Sequence, residues 1–400
     1  MRRKMMLFLC LSVTCIFLSG CWDRIELEQR GFVIGVAIDE GSEPADPEYK
    51  GSAQTFKVTF QVVIPAGLKQ MSQQGGTLSG QTYFNVSFEG KSMQAIIAKM
   101  STQTSRMPFF EHLKLIVVSE KVAKTKYGFA NVLDFFLRNN DARRNVSIMI
   151  AKGAASKVFE ITPEGEKGPV MFIQSISKHK QSISMVAETR IGDIHEYLLK
   201  NESFDLEKVT AVNKDVSLIG AAVMDANKNN LVGFLNETET QGLNLIKPKI
   251  NGGALEVKMG DSLVVFEIER IERKIQADTT ELKPIRFHIH VSIEGRISET
   301  FERIDFLEQD PIDEIQKKVK EEVVSIIQKT ISKTQNEYKK DVLGMGAYLK
   351  QNKPKVWNKV KNNWDTETNY FSKSEISVTS TVKIRRIGSV NKTEKRNDGQ

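Results

Sequence analysis

Apolar residues recur along the chain with two periods. Gly31–Asp39 (GFVIGVAID), Thr55–Ile64 and Leu113–Ser119 (LKLIVVS) are short runs rich in Val and Ile, the composition of buried strands. Thr82–Glu89 and Asn145–Ala151 read the same way. Between these runs the period lengthens. Met93, Ile96, Ile97 and Met100 stand at i, i+3, i+4 and i+7, one stripe of a helix that Ser92 can cap. Phe129, Val132, Leu133, Phe136 and Leu137 predict a second helix over 127–137, and 154–159 and 191–199 are further helical stretches. Pro108 predicts a turn before the strand at 113. Gly- and Pro-bearing 40–52 and Gly/Gln-rich 66–81 read as loops.

Beyond Asn201 the pattern shifts to strands. Val216–Met224 and Asn230–Leu235 flank Asp225-Ala226-Asn227-Lys228-Asn229, a hairpin signal. Gly242–Ile246 predicts a short helical turn, and Gly253–Met259, Ser262–Ile275 and Ile285–Glu294 predict strands. Asp310-Pro311 then opens a long helix, with Pro at its first position and Ile312, Ile315, Val319, Val323, Ile326, Ile327 and Ile331 along one face. Helical stretches follow at 341–351 and 354–364, then a closing strand at Glu375–Ile387 and a polar tail. The whole predicts an α+β (mixed α/β), multi-domain fold with antiparallel-rich sheets and a long C-terminal helix, and 400 residues is a soft prior for two or three domains. The expected segments are a leader at 1–20, an N-terminal α/β domain at 21–205, a strand-rich middle domain at 206–280, a C-terminal domain at 281–388 and a tail at 389–400.

The leader changes this picture. Arg2, Arg3 and Lys4 precede an apolar run, Met5–Leu18, of about 14 residues, and small residues follow. A bilayer-spanning helix needs about 20 apolar residues, so this run reads as a secretory signal peptide. It ends in Leu18-Ser19-Gly20-Cys21, which resembles the lipobox of bacterial lipoproteins. That resemblance implies cleavage before Cys21 and an S-diacylglyceryl group on its thiol, with N-acylation as a further step. Cys10 and Cys15 leave with the leader, so the mature chain has one cysteine and forms no internal disulfide. The net charge of +7 falls to +4 once Arg2, Arg3 and Lys4 are removed, too mild and too dispersed for a nucleic-acid face.

Catalytic motifs are sparse. His288 and His290 alternate on one strand face, but no cysteine or third ligand stands near them in sequence, and a zinc site wants three or four ligands. His195-Glu196 begins like H-E-x-x-H, but position 199 is Leu. His112 has no partner nucleophile and reads as a polar residue at the entry to a strand. There is no G-x-S-x-G and no Walker-type glycine loop. Gly344-x-Gly346 lies in a helical pattern and reads as a helix break or a packing point. Trp357 and Trp364, seven residues apart, read as a packed pair under the C-terminal domain. No catalytic, cofactor or metal residue is assigned; Cys21, as a lipidation site, is the one residue given a chemical fate.

Several segments together carry a family resemblance. Cys21-Trp22-Asp23 with Glu26 and Leu27, Phe110-Glu111-His112-Leu113-Lys114, Leu137-Arg138 followed by Arg143-Arg144, Asp341-Val342-Leu343-Gly344-Met345-Gly346, and Pro354-Lys355-Val356-Trp357 with Trp364 occur in order. In this order the chain resembles the Ger(x)C family, the lipoprotein C subunits of bacterial spore germination receptors. The loop at 66–81 and the polar tail depart from the family pattern. The resemblance implies a fold of three mixed domains and a non-enzymatic subunit. It would be lipid-anchored at the outer face of the spore inner membrane and would work with integral membrane A and B subunits, without a cofactor. An alternative reading with the same anchor is a solute-binding lipoprotein that delivers a small molecule to a transporter. A surface hydrolase is a third, and it requires a clustered nucleophile, base and oxyanion donors.

Overall fold

A computed structural model describes residues 30–42, 55–64, 82–301 and 309–386, apart from positions 127, 140–141, 164, 180–181, 248, 251 and 261. The leader, Cys21, the loop at 66–81 and the tail lie outside the described residues. The fold is mixed α/β and multi-domain, as the two periods predict.

The described strands form two sheets. The larger contains β1 (Arg30–Glu40), β2 (Phe56–Val63), β3 (Tyr83–Gly90), β4 (Met107–Phe109), β5 (Leu115–Ser119), β6 (Ser147–Ala151), β7 (Phe204–Val212), β8 (Asp215–Ser217), β9 (Ala221–Asp225) and β10 (Asn230–Leu235). Their order is β10-β9-β7-β6-β5-β1-β2-β3, with β4 on β1 and β8 on β7. The four central strands, β7, β6, β5 and β1, run parallel, and antiparallel hairpins close both ends.

Burial follows from that arrangement. A parallel core must be covered on both faces, so its strands are continuously apolar. Every residue of β5 and β6 is buried. Alternate residues of β5 serve different cores. Ile116 and Val118 pack with α1 (Met93–Gln103), α2 (Glu120–Lys124), α3 (Gly128–Arg138) and α5 (Ile191–Lys200). Leu115 and Val117 pack on the opposite side with Phe159 and with Val170 and Ile173 of α4 (Pro169–Ser177). Met93, Ile96 and Met100 are buried as the stripe predicts, and Ser92 caps the helix by accepting from the Ala95 N–H at 3.2 Å.

The second sheet has the order β11-β12-β13-β14, with β11 at Gly253–Met259, β12 at Ser262–Asp278, β13 at Arg286–Thr300 and β14 at Glu375–Arg386. β14 pairs parallel to β13. The long helix α7 (Gln309–Ser332) lies in the connection between them and buries Ile315, Val319, Val323, Ile326, Ile327 and Ile331, the predicted face. Its core also takes in Ala221 and Val223 of β9 and Leu243 of α6 (Glu237–Ile246), so the two sheets share one apolar cluster. Hydrogen bonding crosses both 205/206 and 280/281, because β6 pairs with β7 and β12 pairs with β13.

Some local outcomes differ from the expectations. Pro108 itself lies in the short strand β4, and the turn it bounds comes next, where the Leu113 N–H donates to the Phe110 carbonyl at 2.9 Å. The helical turn expected at 242–246 is the last half of α6, which begins at Glu237 and is capped by Asn236. Helix α8 (Met345–Asn352) begins only after Gly344, not at 341.

Candidate functional site: a polar joint and cavity between the sheets

The delay in starting α8 has a physical cause. Asp341 turns its carboxylate back toward the chain that follows. Oδ1 accepts from the Gly344 N–H at 2.9 Å and the Met345 N–H at 3.1 Å, and Oδ2 accepts from the Gly346 N–H at 2.6 Å. The indole N–H of Trp364 donates to the same Oδ2 at 2.7 Å. Asp341 is buried, so the first-turn amides of α8 find their acceptor without water. Gly344 has φ +84°, the left-handed region that glycine enters without strain. Gly346 is required by space: a Cβ there would meet Trp364 Nε1 at 2.7 Å and the Trp357 ring at 3.1 Å. The packing-point reading of Gly344-x-Gly346 is thus correct for Gly346.

The two tryptophans do meet, with ring centroids 5.9 Å apart in an edge-on arrangement. They do not share one helix. Helix α9 (Pro354–Val360) ends first, a 3-10 turn follows over Lys361–Asn363, and Trp364 packs beyond it against Phe287 and Phe371.

Next to this cage, buried charges join the C-terminal segment to the large sheet. Lys340 Nζ lies 2.8 Å from Asp225 Oδ2 at the end of β9, and it also donates to the backbone carbonyl of Asp365 at 2.8 Å. Asp365 accepts from the Ser203 hydroxyl at 2.6 Å. Burial pushes the Asp365 carboxyl above its ordinary range, against the pull of Ser203 and the Lys340 charge. A second pair, Lys247 with Asp205, crosses nearby. Burial opposes both charges, yet their mutual attraction leaves the lysine raised and the carboxyl lowered.

These groups border a cavity of 580 Å³ whose walls include Tyr197, Lys247, Asp341, Lys350, Trp357 and Asp365. Tyr197 is stacked on Phe204 at 5.3 Å. Lys350 pairs with Glu202 at 3.0 Å on its rim. The cavity therefore mixes cations, carboxylates and aromatic faces, and it lies where the segments from 341 to 366 meet the end of α5, the turn after β9 and the chain after α6.

The histidines stand elsewhere. His288 and His290 face the outer side of the second sheet. Each ring bonds two hydroxyls of β14, Ser377 and Thr379 for His288, Thr379 and Thr381 for His290, at 2.9 to 3.1 Å. Both nitrogens of each ring are thereby engaged. His195 meets Arg144 at 2.8 Å. His112 is exposed, and its ring lies 5.5 Å from that of Phe32. Among the described residues, no group of three or more His, Cys, Asp or Glu side chains is placed to hold a metal ion. No described helix is long and apolar enough to cross a membrane.

Sequence reasoning missed Ser203, Asp225, Lys340 and Asp365. Their only signal was a polar residue beside an apolar run, as at Asp225 after Ala221–Met224, which also suits a turn.

Two family models cover nearly the whole of this arrangement. One, described as Spore germination protein N-terminal domain, matches residues 23–206. The other, Spore germination B3/GerAC like, C-terminal, matches 219–388. Spore germination protein YndF of Bacillus subtilis (strain 168) is 30% identical over 403 aligned residues, covering 96% of each chain. The chain belongs to the Ger(x)C family of spore germination proteins. Spore germination protein B3 of the same organism is 27% identical over 386 residues, 94% of this chain and 96% of that one. The crystal structure of the GerBC protein shares the fold, with a TM-score of 0.60 at 23% identity over 90% of this chain and 100% of that one. Within this Ger(x)C chain, the Asp-x-x-Gly-x-Gly segment is the carboxylate cage, and the two tryptophans of the following segment pack over Gly346.

Proposed function

We infer that this Ger(x)C protein is the non-enzymatic, lipid-anchored C subunit of a nutrient germinant receptor. Cys21 carries a diacylglyceryl group, and the folded sheets lie at the outer face of the spore inner membrane beside integral membrane A and B subunits. The observation that carries the reading is Leu18-Ser19-Gly20-Cys21 directly preceding a chain matched by the family from residue 23 onward. Relatives named Spore germination protein A3, B3 and KC, each aligned over 94% or more of this chain, support a role in germination. One acyl chain holds a protein only reversibly, whereas the two chains of a diacylglyceryl group give stable retention. Confinement beside the membrane subunits raises the effective concentration for their assembly.

Cys21→Ala tests this. The variant should leave the membrane fraction, and spores carrying it should lose the nutrient response. Membrane retention together with normal germination would defeat the anchor reading. Affinity capture of the wild-type chain from spore membranes should bring A- and B-type subunits with it.

The 580 Å³ cavity favours a second reading, a solute-binding lipoprotein that serves a transporter. Calorimetric titration of the isolated chain with nutrients separates the two. Saturable heat from a small molecule, with no A or B subunit captured, supports the second.

A further inference from the structure

The start of β1 carries a surface that the joint and its cavity do not use. Arg30 follows Cys21 by nine residues. A chain spans at most about 3.5 Å per residue, so Arg30 stays within roughly 30 Å of the lipid on Cys21. β4 lies beside this end in parallel register, Arg30 with Met107 and Phe32 with Phe109. The Arg30 guanidinium sits 4.2 Å over the Phe109 ring, and Phe109, Phe32 and His112 form a cluster with centroids 5.5 to 6.2 Å apart. Met107 is 52% exposed. Neither Arg30 nor Arg106 forms an ion pair with another described residue, and Glu111 is the one carboxylate in 106–112. A cleft of 210 Å³, lined by Val62, Ile64, Phe84 and Met100 with Thr104 and Arg106, lies at the same end.

The topology extends this surface. β1, β5, β6 and β7 run parallel, so the start of β7 and the end of α5 before it lie at the same end of the sheet as Arg30. Leu199, 70% exposed, is carried there too, beside the ion pairs Lys200–Glu196 and Lys350–Glu202. Val212, at the close of β7, falls at the far end.

We propose that this end of the large sheet rests on the bilayer, with Met107, Phe109 and Leu199 at headgroup depth and Arg30 and Arg106 against anionic lipid. The proposal rests on the lipid-anchor reading, which supplies the tether that holds this end near the membrane. Arginine and aromatic side chains suit the site, since each has an apolar body to bury and a polar or charged part to leave in the headgroups. Anionic headgroups attract the cations within a Debye length.

The test uses the full acylated chain on vesicles of phosphatidylcholine and phosphatidylglycerol that contain a headgroup-linked quencher. With Cys21 acylated and the leader removed, an introduced cysteine is the single free thiol to label. Met107→Cys and Leu199→Cys should be quenched several-fold more than Val212→Cys. Equal quenching at all three sites, with the protein still floating with the vesicles, overturns the proposal and leaves the anchor intact. Failure of the acylated chain to float overturns the anchor and the proposal with it. Shielding of position 107 by added A and B subunits, without lipid quenching, overturns it as well and assigns the surface to a protein partner. In a second arm, Arg106→Glu in the unacylated chain should weaken binding to the same vesicles by at least about fivefold, and have no effect with phosphatidylcholine alone. An unchanged affinity would count against the proposal.

Discussion

Lys340 Nζ lies 2.8 Å from Asp225 Oδ2, and this buried pair ties the segment after α7 to the last-but-one strand of the large sheet. The two residues are 8% and 2% exposed. Taking both charges out of water costs nearly as much as their attraction returns, so the pair is better understood as fixing how the halves meet than as a large source of stability. Removing the lysine is different, because it leaves Asp225 charged and buried without its ion-pair partner, with the Asn227 and Lys228 backbone N–H groups on Oδ1. Lys340→Met should therefore destabilise the protein by about 3–5 kcal/mol, read as a shift in the urea midpoint. The double variant with Asp225→Asn, which keeps an oxygen for the Asn227 and Lys228 N–H groups, should recover much of that loss. Additive losses would show that the pair is not coupled.

The Asp341 cage makes a sharper prediction. Asp341→Asn keeps the shape but turns one acceptor oxygen into a donor, which confronts either two amides of the α8 turn or the Gly346 and Trp364 N–H groups. Each buried donor left without an acceptor costs about 1–3 kcal/mol. The variant should lose stability on that scale, and near-ultraviolet circular dichroism should report the freed indole of Trp364. A wild-type spectrum would contradict the cage.

Gly344 and Gly346 should fail for different reasons. Gly344→Ala meets open space but holds a left-handed backbone, a cost of about 1–2 kcal/mol. Gly346→Ala has no such backbone demand but drives a methyl into Trp364 and Trp357, an overpacking cost of about 1–3 kcal/mol. Tryptophan fluorescence should move in the second variant and not in the first, whatever their relative stabilities.

Glu207 gives the protein a pH signature. It lies on β7, buried, and accepts from the Ser177 hydroxyl at 2.6 Å. Burial pushes its carboxyl up to about 8, against the pull of that hydrogen bond. The folded form thus holds a proton that the unfolded chain releases near its ordinary value of 4.5. Where the unfolded state binds fewer protons, stability falls as pH rises. The contribution is complete below about pH 4.5 and is lost by about pH 8, a difference on the order of several kcal/mol at 1.36 kcal/mol per unit. Urea midpoints of wild type should decline over that window more steeply than those of Glu207→Gln. Parallel profiles would remove Glu207 from the account.

Much of the fold was readable in the order of residues because burial demands were strong and local. The continuous Val/Ile runs of β5 and β6 announce strands covered on both faces, and the Ile315–Ile331 stripe announces one helix face. Sheet membership was not readable. Nothing in Phe204–Val212 says that it pairs with β6, whose Met149 stands 58 residues before its partner Glu207 with a run of helices between, and that pairing decides where one sheet ends. The joint was harder still. Ser203, Asp225 and Asp365 are single polar residues at the ends of elements, where turns and caps use the same residue types. Only tertiary packing distinguishes them. The Asp-x-x-Gly-x-Gly segment was visible as a motif, but its role depends on the indole of Trp364, 23 residues on.

Membrane anchoring turns on the fate of Cys21, and mass spectrometry of the mature N-terminus tests it directly. Trypsin should release Cys21-Trp22-Asp23-Arg24 from protein extracted from spore membranes. The expected peptide begins at Cys21 and carries a diacylglyceryl group on its thiol. A peptide with a free Cys21 thiol, or one still joined to Gly20 and the leader, would contradict the lipid anchor and the membrane placement that depends on it.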